Sequence, residues 1–116
     1  LTEKLKGEKK IQHIFKQGQK VFVYPVKVVF LKIPSFNGQK NLLWGVSVSK
    51  RYFKKAVDRN RIKRQLREAI RLTVLKTVLS EGEGWQCMFV YCTDEMLHYA
   101  ALEKSVSKAF DKMRKN

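Results

Sequence analysis

Arg59-Asn60-Arg61-Ile62-Lys63-Arg64, followed by Arg67 and Arg71, is a set of side chains whose natural chemistry is the binding of phosphate. A guanidinium presents forked donors in one plane, stays charged, and matches the edge of a phosphate. The spacing extends the argument. Arg59, Lys63, Arg67 and Arg71 recur every four residues, while Ile62, Leu66, Ala69, Ile70 and Thr73 make a second, mostly apolar stripe. This pattern predicts a helix that packs one side on a core and turns a cationic ridge outward. A merely solvated helix face mixes signs, because like charges four residues apart repel. Residues 50–71 instead hold ten Lys and Arg against Asp58 and Glu68 alone, which reads as a polyanion-binding surface.

No comparable cluster exists for catalysis by side chains. His13 and His98 have no Cys, Asp or second His at metal-ligand spacing. The acidic residues are scattered: Asp94-Glu95 suits a turn, Glu81 and Glu83 flank glycines, and Asp58 and Glu68 sit among arginines. A two-metal nuclease needs converging carboxylates, and none are evident. Ser47 and Ser49 lack a base in the pattern, and no phosphate-binding P-loop is present. The sequence therefore reads as a binding protein whose chemistry, if any, belongs to its partner, with no protein-held metal.

The whole composition agrees. Twenty-five Lys and Arg against 10 Asp and Glu give a formal charge of +15 on 116 residues, while 44% of the residues are hydrophobic. That apolar content excludes a disordered basic tail and fits a single domain spanning 1–116, with one core. Self-repulsion at this charge calls for a neutralising partner, and nucleic acid is favoured over a membrane surface. No apolar run approaches the ~20 residues of a spanning helix, and no signal-peptide h-region opens the chain. Because the chain starts at Leu1 rather than Met, a few preceding residues are expected to be missing or replaced. Cys87 and Cys92, five apart, fall on opposite faces of a strand and are expected as free thiols in a reducing cytoplasm.

These residues need elements to position them. Residues 2–17 read as a helix, with Thr2 as its N-cap and Gly18 ending it. Residues 21–33 read as a strand marked by Pro25, with Phe22, Tyr24, Val26, Val28 and Phe30 on one apolar face and Lys27 on the other. Residues 34–38 form a turn, and 42–49 a second strand. Lys50 to Lys55 is a basic loop, with Asp58 as candidate cap of an arginine helix running to about Leu79. Gln86 to Cys92 is a strand apolar on both faces, hence central. Leu102, Val106, Ala109, Phe110 and Met113 mark a last amphipathic helix starting near Tyr99. In 42–49, Leu42, Trp44, Val46 and Val48 face a core, whereas Leu43, Gly45, Ser47 and Ser49 present little bulk. That second face either floors a groove for a single strand of nucleic acid or lies beneath the first helix.

At this point the chain resembles a known family. Gly45-Val46-Ser47-Val48-Ser49-Lys50, a short basic spacer, Ala56-Val57, then Arg59-Asn60-Arg61-Ile62-Lys63-Arg64 and Arg67-Glu68 look like the protein subunit of bacterial ribonuclease P. Ile11-Gln12-His13-Ile14-Phe15-Lys16-Gln17-Gly18 is similar to that family's first helix, with Ile11 where members often carry Phe. The resemblance implies an α+β fold, an α-β-β-β-α-β-α sandwich with a left-handed βαβ crossover (ribosomal protein S5 domain 2-like), and so a division of 21–33, most simply at Pro25. Sequence rules alone predict a right-handed crossover.

It also implies a function, that of a protein component in the endonuclease that removes the 5′ leader from precursor tRNA. Its partners would be a catalytic RNA subunit and precursor tRNA, with no obligate protein partner. Mg2+ would be bound mainly by the RNA, and the protein alone would be inactive. Lys50, Arg51, Lys54, Lys55, Arg59, Asn60, Arg61, Lys63, Arg64, Arg67 and Arg71 would contact the RNA subunit, and Ile11, Phe15, Lys27 and Val29 the leader. The alternatives are a non-catalytic RNA-binding protein of ribosomal or RNA-chaperone type, and a DNA-binding helix. The second is disfavoured because the arginine helix lacks the partner helix and tight turn of a helix-turn-helix.

Overall fold

A strand that is apolar at nearly every position needs cover on both faces, and the fold is arranged around one. In a computed structural model, which describes residues 2–4, 8–33 and 41–115, Gly84–Tyr91 (β5) is the middle strand of five. The others are Thr2–Lys4 (β1), Gln19–Val23 (β2), Val26–Lys32 (β3) and Asn41–Val48 (β4), in the order β1-β4-β5-β3-β2. β4 runs parallel to both β1 and β5, and β3 is antiparallel to β2 and β5. Glu8–Gln17 (α1) lies against β3 and β5 on one face. Ala56–Leu72 (α2) packs on β4 and on Tyr99–Arg114 (α3), which covers β2 and β3. The α+β class and the α-β-β-β-α-β-α order hold, with short β1 in front, and the crossover through α2 joins two parallel neighbours.

The main core lies between the sheet and the α2/α3 layer, and includes Val26, Val28, Phe30, Leu42, Val48, Cys87, Phe89 and Tyr91 from the strands. From the helices it takes Ile62, Leu66, Ala69, Ile70, Leu102, Val106, Ala109, Phe110 and Met113, the two stripes read from the sequence. A smaller cluster under α1 joins Ile14 to Val29, Met88 and Val90. Cys87 is buried in the main core and Cys92 packs against the α1 cluster, so the two free thiols lie on opposite faces.

Several boundaries differ from the sequence reading. Residues 2–4 are a strand beside β4, so the first helix begins at Glu8 rather than after Thr2; Leu5 lies outside the described residues. Backbone pairing with Leu42 to Trp44 overrides the weak helical pattern there. Gly18 does end α1, its amide donating to the Ile14 carbonyl at 2.7 Å. It is glycine because a Cβ would collide with that oxygen and sit 2.9 Å from the Phe30 carbonyl oxygen. Asp58 is not the cap of α2. Lys55 holds that position in extended conformation, and Asp58 stands in the first turn, where its charge still favours the helix N-terminus. α2 stops at Leu72 rather than Leu79. The Thr73 hydroxyl donates to the Ala69 carbonyl at 2.6 Å and a 3-10 turn, Val74–Lys76, follows. The turn read at 34–38 lies outside the described residues.

The long strand 21–33 is a hairpin, turned at Tyr24 and Pro25 across a cis peptide bond. Its register pairs Phe22 with Lys27 and Lys20 with Val29. Reversal of the chain therefore swaps faces. Val26, Val28 and Phe30 go to the main core, while Phe22 joins Lys27 on the α1 face.

Candidate nucleic-acid interface

The basic segment is built from the end of β4 onward. After Val48 the chain turns, with the amides of Tyr52 and Phe53 donating to the Ser49 carbonyl at 3.2 and 3.3 Å. Phe53 inserts into the main core against Tyr91, ring centroids 6.1 Å apart. Anchoring this one aromatic leaves Lys50, Arg51, Lys54 and Lys55 exposed around it. Arg59, one turn into α2, closes the loop, its Nη1 donating to the carbonyls of Phe53 and Lys54, each at 2.8 Å.

The ridge itself is rotated from the expected one. A four-residue step overshoots a 3.6-residue turn by ~40°. The series Arg59, Lys63, Arg67, Arg71 thus climbs from the flank of the packed side to open solvent. Arg59, Lys63 and Arg67 are half-buried, and Arg67 Nε is buried without a hydrogen-bond partner among the described residues. The outward face carries Asn60, Arg61, Arg64 and Arg71, with Val57 between them. Arg71 is partly neutralised by Glu68 at 2.6 Å. Among the described residues the other nine cations of residues 50–71 form no ion pair. Arg61 and Arg64 line a groove of about 350 Å3 with Gln65, Glu68 and Tyr99, at the junction with α3.

The second surface lies on the α1 side of the sheet. Ile14 is fully buried over Val29, Met88 and Val90, and Ile11 packs half-buried beside it. Phe15 belongs to neither core and is 38% exposed. Lys27 is half-buried in a row that runs Phe22, Lys27, Val90, Ser47 across four strands. Val29 has no exposed surface, so it supports this face from beneath and has none to offer a ligand. The helix thus packs on the β3/β5 part of the face, so the reading that it lies over the small, polar side holds for that part.

The ribonuclease P family model matches residues 2–114. The chain belongs to the ribonuclease P protein family. It is 32% identical to the ribonuclease P protein component of Porphyromonas gingivalis over 118 aligned residues, covering 99% of this chain and 85% of that one. With the component of Rickettsia akari it shares 37% over 107 residues, 90% of this chain and 91% of the other. The fold is that of the Staphylococcus aureus ribonuclease P protein, with TM-score 0.72 and 20% identity over 96% of this chain and 94% of that one. The Thermotoga maritima protein gives TM-score 0.71 and 20% identity over 97% and 96%.

Membership of the ribonuclease P protein family makes this chain a component of a tRNA-processing ribonucleoprotein and implies a partner RNA. Among the described residues no helix is long and apolar enough to cross a membrane. Sequence reasoning passed over two features beside these two surfaces. Phe22 and Tyr24 stood on a supposed core face, yet each is 47% exposed. The signal was Pro25, which divides the strand and reverses the parity of everything before it. The Arg59 clamp on the loop carbonyls had no sequence signal, because it depends on where Phe53 is buried.

Proposed function

We propose that this protein binds the catalytic RNA of a cytoplasmic ribonuclease P through the loop cations and the outward face of α2, and steers the single-stranded 5′ leader of precursor tRNA along the α1 side of the sheet. The observation that carries the reading is the row of unneutralised cations from Lys50 through Arg64 on a loop pinned by Phe53 and Arg59. A fixed array of charges loses little entropy on meeting phosphates, and counterion release drives the association. The leader would meet Phe15 and Lys27, with Ile11 shaping the edge and Val29 supporting them, so that rings stack on bases and ammonium groups meet the backbone.

Cleavage itself is assigned to the RNA subunit. Among the described residues no three His, Cys, Asp or Glu converge to hold a metal ion, so these side chains offer no fit for Mg2+, which in this reading the RNA binds. The protein's part is affinity and alignment, without an obligate protein partner. Reconstitution tests it. The protein with the RNA subunit and magnesium should cleave precursor tRNA at the leader junction, and RNA-free protein should not cleave. Cleavage by RNA-free protein overturns the division of labour, and tight RNA binding with no effect on cleavage would favour the chaperone-type alternative.

A further inference from the structure

A single exposed aromatic on a protein surface needs no explanation. The end of the β2/β3 hairpin carries two in contact. Phe22 and Tyr24 lie with ring centroids 6.4 Å apart and planes at 76°, each about half-exposed. Their support is fixed. The Tyr24 hydroxyl donates to Glu95 at 2.6 Å and lies 3.1 Å from the Thr93 hydroxyl oxygen. The Ser105 hydroxyl donates to the Tyr24 carbonyl at 2.7 Å, and the Cys92 amide to the Pro25 carbonyl at 2.8 Å. Held by α3 on one side and by residues 92–95 on the other, the turn presents rings that are already ordered.

Position gives the pair a meaning. Phe22 is directly across the ladder from Lys27, and Lys20, two residues earlier on the same face, is exposed. α1 packs over β3 and β5, so on the β2 part of this face Phe22 is left exposed between the ammonium groups of Lys20 and Lys27. Aromatic faces interleaved with cations suit a single strand of nucleic acid, whose bases stack and whose phosphates seek charge. At the far end Asp94 and Glu95 put carboxylates beside Tyr24, where a phosphodiester would be repelled.

From this we propose that Phe22 and Tyr24 form a terminal stacking platform for the precursor leader, extending the path beyond Lys27 by one or two nucleotides and ending it at Glu95. The inference rests on the leader-binding reading above. Phe22 supplies the open face, and Tyr24 braces it edge-on while its hydroxyl stays anchored.

The test is a set of precursor tRNAs whose leaders grow one nucleotide at a time, measured for affinity to the reconstituted holoenzyme. With wild-type protein affinity should rise with leader length and then level off. Phe22→Ala should leave the short-leader affinities unchanged and level off one or two nucleotides earlier, with a loss of roughly five- to tenfold for the longest leaders, the lower range for one stack. Phe22→Leu should behave like Phe22→Ala, because it keeps apolar bulk without a π-face, and Phe22→Tyr should restore the wild-type curve. Phe15→Ala separates the two claims, since it should lower affinity from the first steps. If Phe15→Ala weakens leader binding while every Phe22 variant follows the wild-type curve, the platform is refuted and the leader reading stands. If wild-type affinity is indifferent to leader length, both fall. Equal losses for Phe22→Leu and Phe22→Ala at all lengths, mature tRNA included, would assign Phe22 to folding and refute the platform.

Discussion

Arg59 and Arg64 are equal in charge and about one and a half turns apart in α2, yet the structure gives them different work. Arg59 Nη1 donates to the Phe53 and Lys54 carbonyls at 2.8 Å each, whereas Arg64 stands open to solvent. Arg59→Ala therefore removes a cation and frees the loop, and Arg64→Ala removes only a cation. The bond to Phe53 is partly buried and that to Lys54 exposed. Water replaces the second at little cost, while the first contributes about 1.5 kcal/mol as a charge-assisted bond. At about 4 °C per kcal/mol for a domain of this size, Arg59→Ala should lower Tm by about 6 °C. Arg64→Ala, an exposed substitution, should stay within about 2 °C. RNA affinity measured across a salt series should separate the two again. Each lost phosphate contact reduces the slope of log K on log salt by roughly 0.7 to 0.9, so the Arg64→Ala deficit should vanish at high salt. Arg59→Ala should retain a residual deficit there, because a loosened loop must be reordered on binding. Arg59→Lys should recover the slope but only part of the Tm. If the two alanine variants coincide in Tm and in high-salt affinity, the clamp has no energetic role and the reasoning from its geometry is wrong.

Three further outcomes are expected. Glu83 accepts from Arg114 Nε and Nη2 at 2.7 and 2.8 Å, from Trp85 Nε1 at 2.6 Å and from the Ser80 amide at 2.7 Å. Burial pushes its carboxyl up, but these donors prevail and hold it at about 2 instead of 4.5. A folded-state pKa below the unfolded one means stability present above about pH 4.5 and lost as pH falls toward about 2, worth up to about 3 kcal/mol. Thermal melts should show that acid loss in wild type and a much flatter profile in Glu83→Gln. Gly18→Ala should cost at least about 2 kcal/mol by denaturant unfolding, because the new methyl meets the Ile14 and Phe30 carbonyl oxygens, backbone atoms that cannot swing aside. Phe15→Ala, outside both cores, should lower stability well below the roughly 3–5 kcal/mol of a core Phe→Ala. It should also weaken precursor binding by about 1–3 kcal/mol while leaving mature tRNA unaffected.

The sequence by itself determined the parts that depend on local period and charge. The α2 and α3 stripes, the central apolar strand, the opposite faces of Cys87 and Cys92 and the basic loop are all present as read. So is the chain's place in its family, because the Arg59 to Arg64 motif is contiguous and needs no folding to be recognised. Tertiary structure decided what local period cannot. Whether residues 2–4 extend α1 or pair with β4 depends on a strand some forty residues away. Which arginines face solvent depends on how α2 sits over β4 and α3, since a four-residue series drifts around the helix and only packing fixes where it emerges. Phe22 and Val29 depart from expectation for different tertiary reasons. A turn at Tyr24 and Pro25 reverses the facing of every earlier side chain and puts the expected core aromatic Phe22 in the open. Val29 keeps its expected face, but α1 packs over that face and Ile14 buries it.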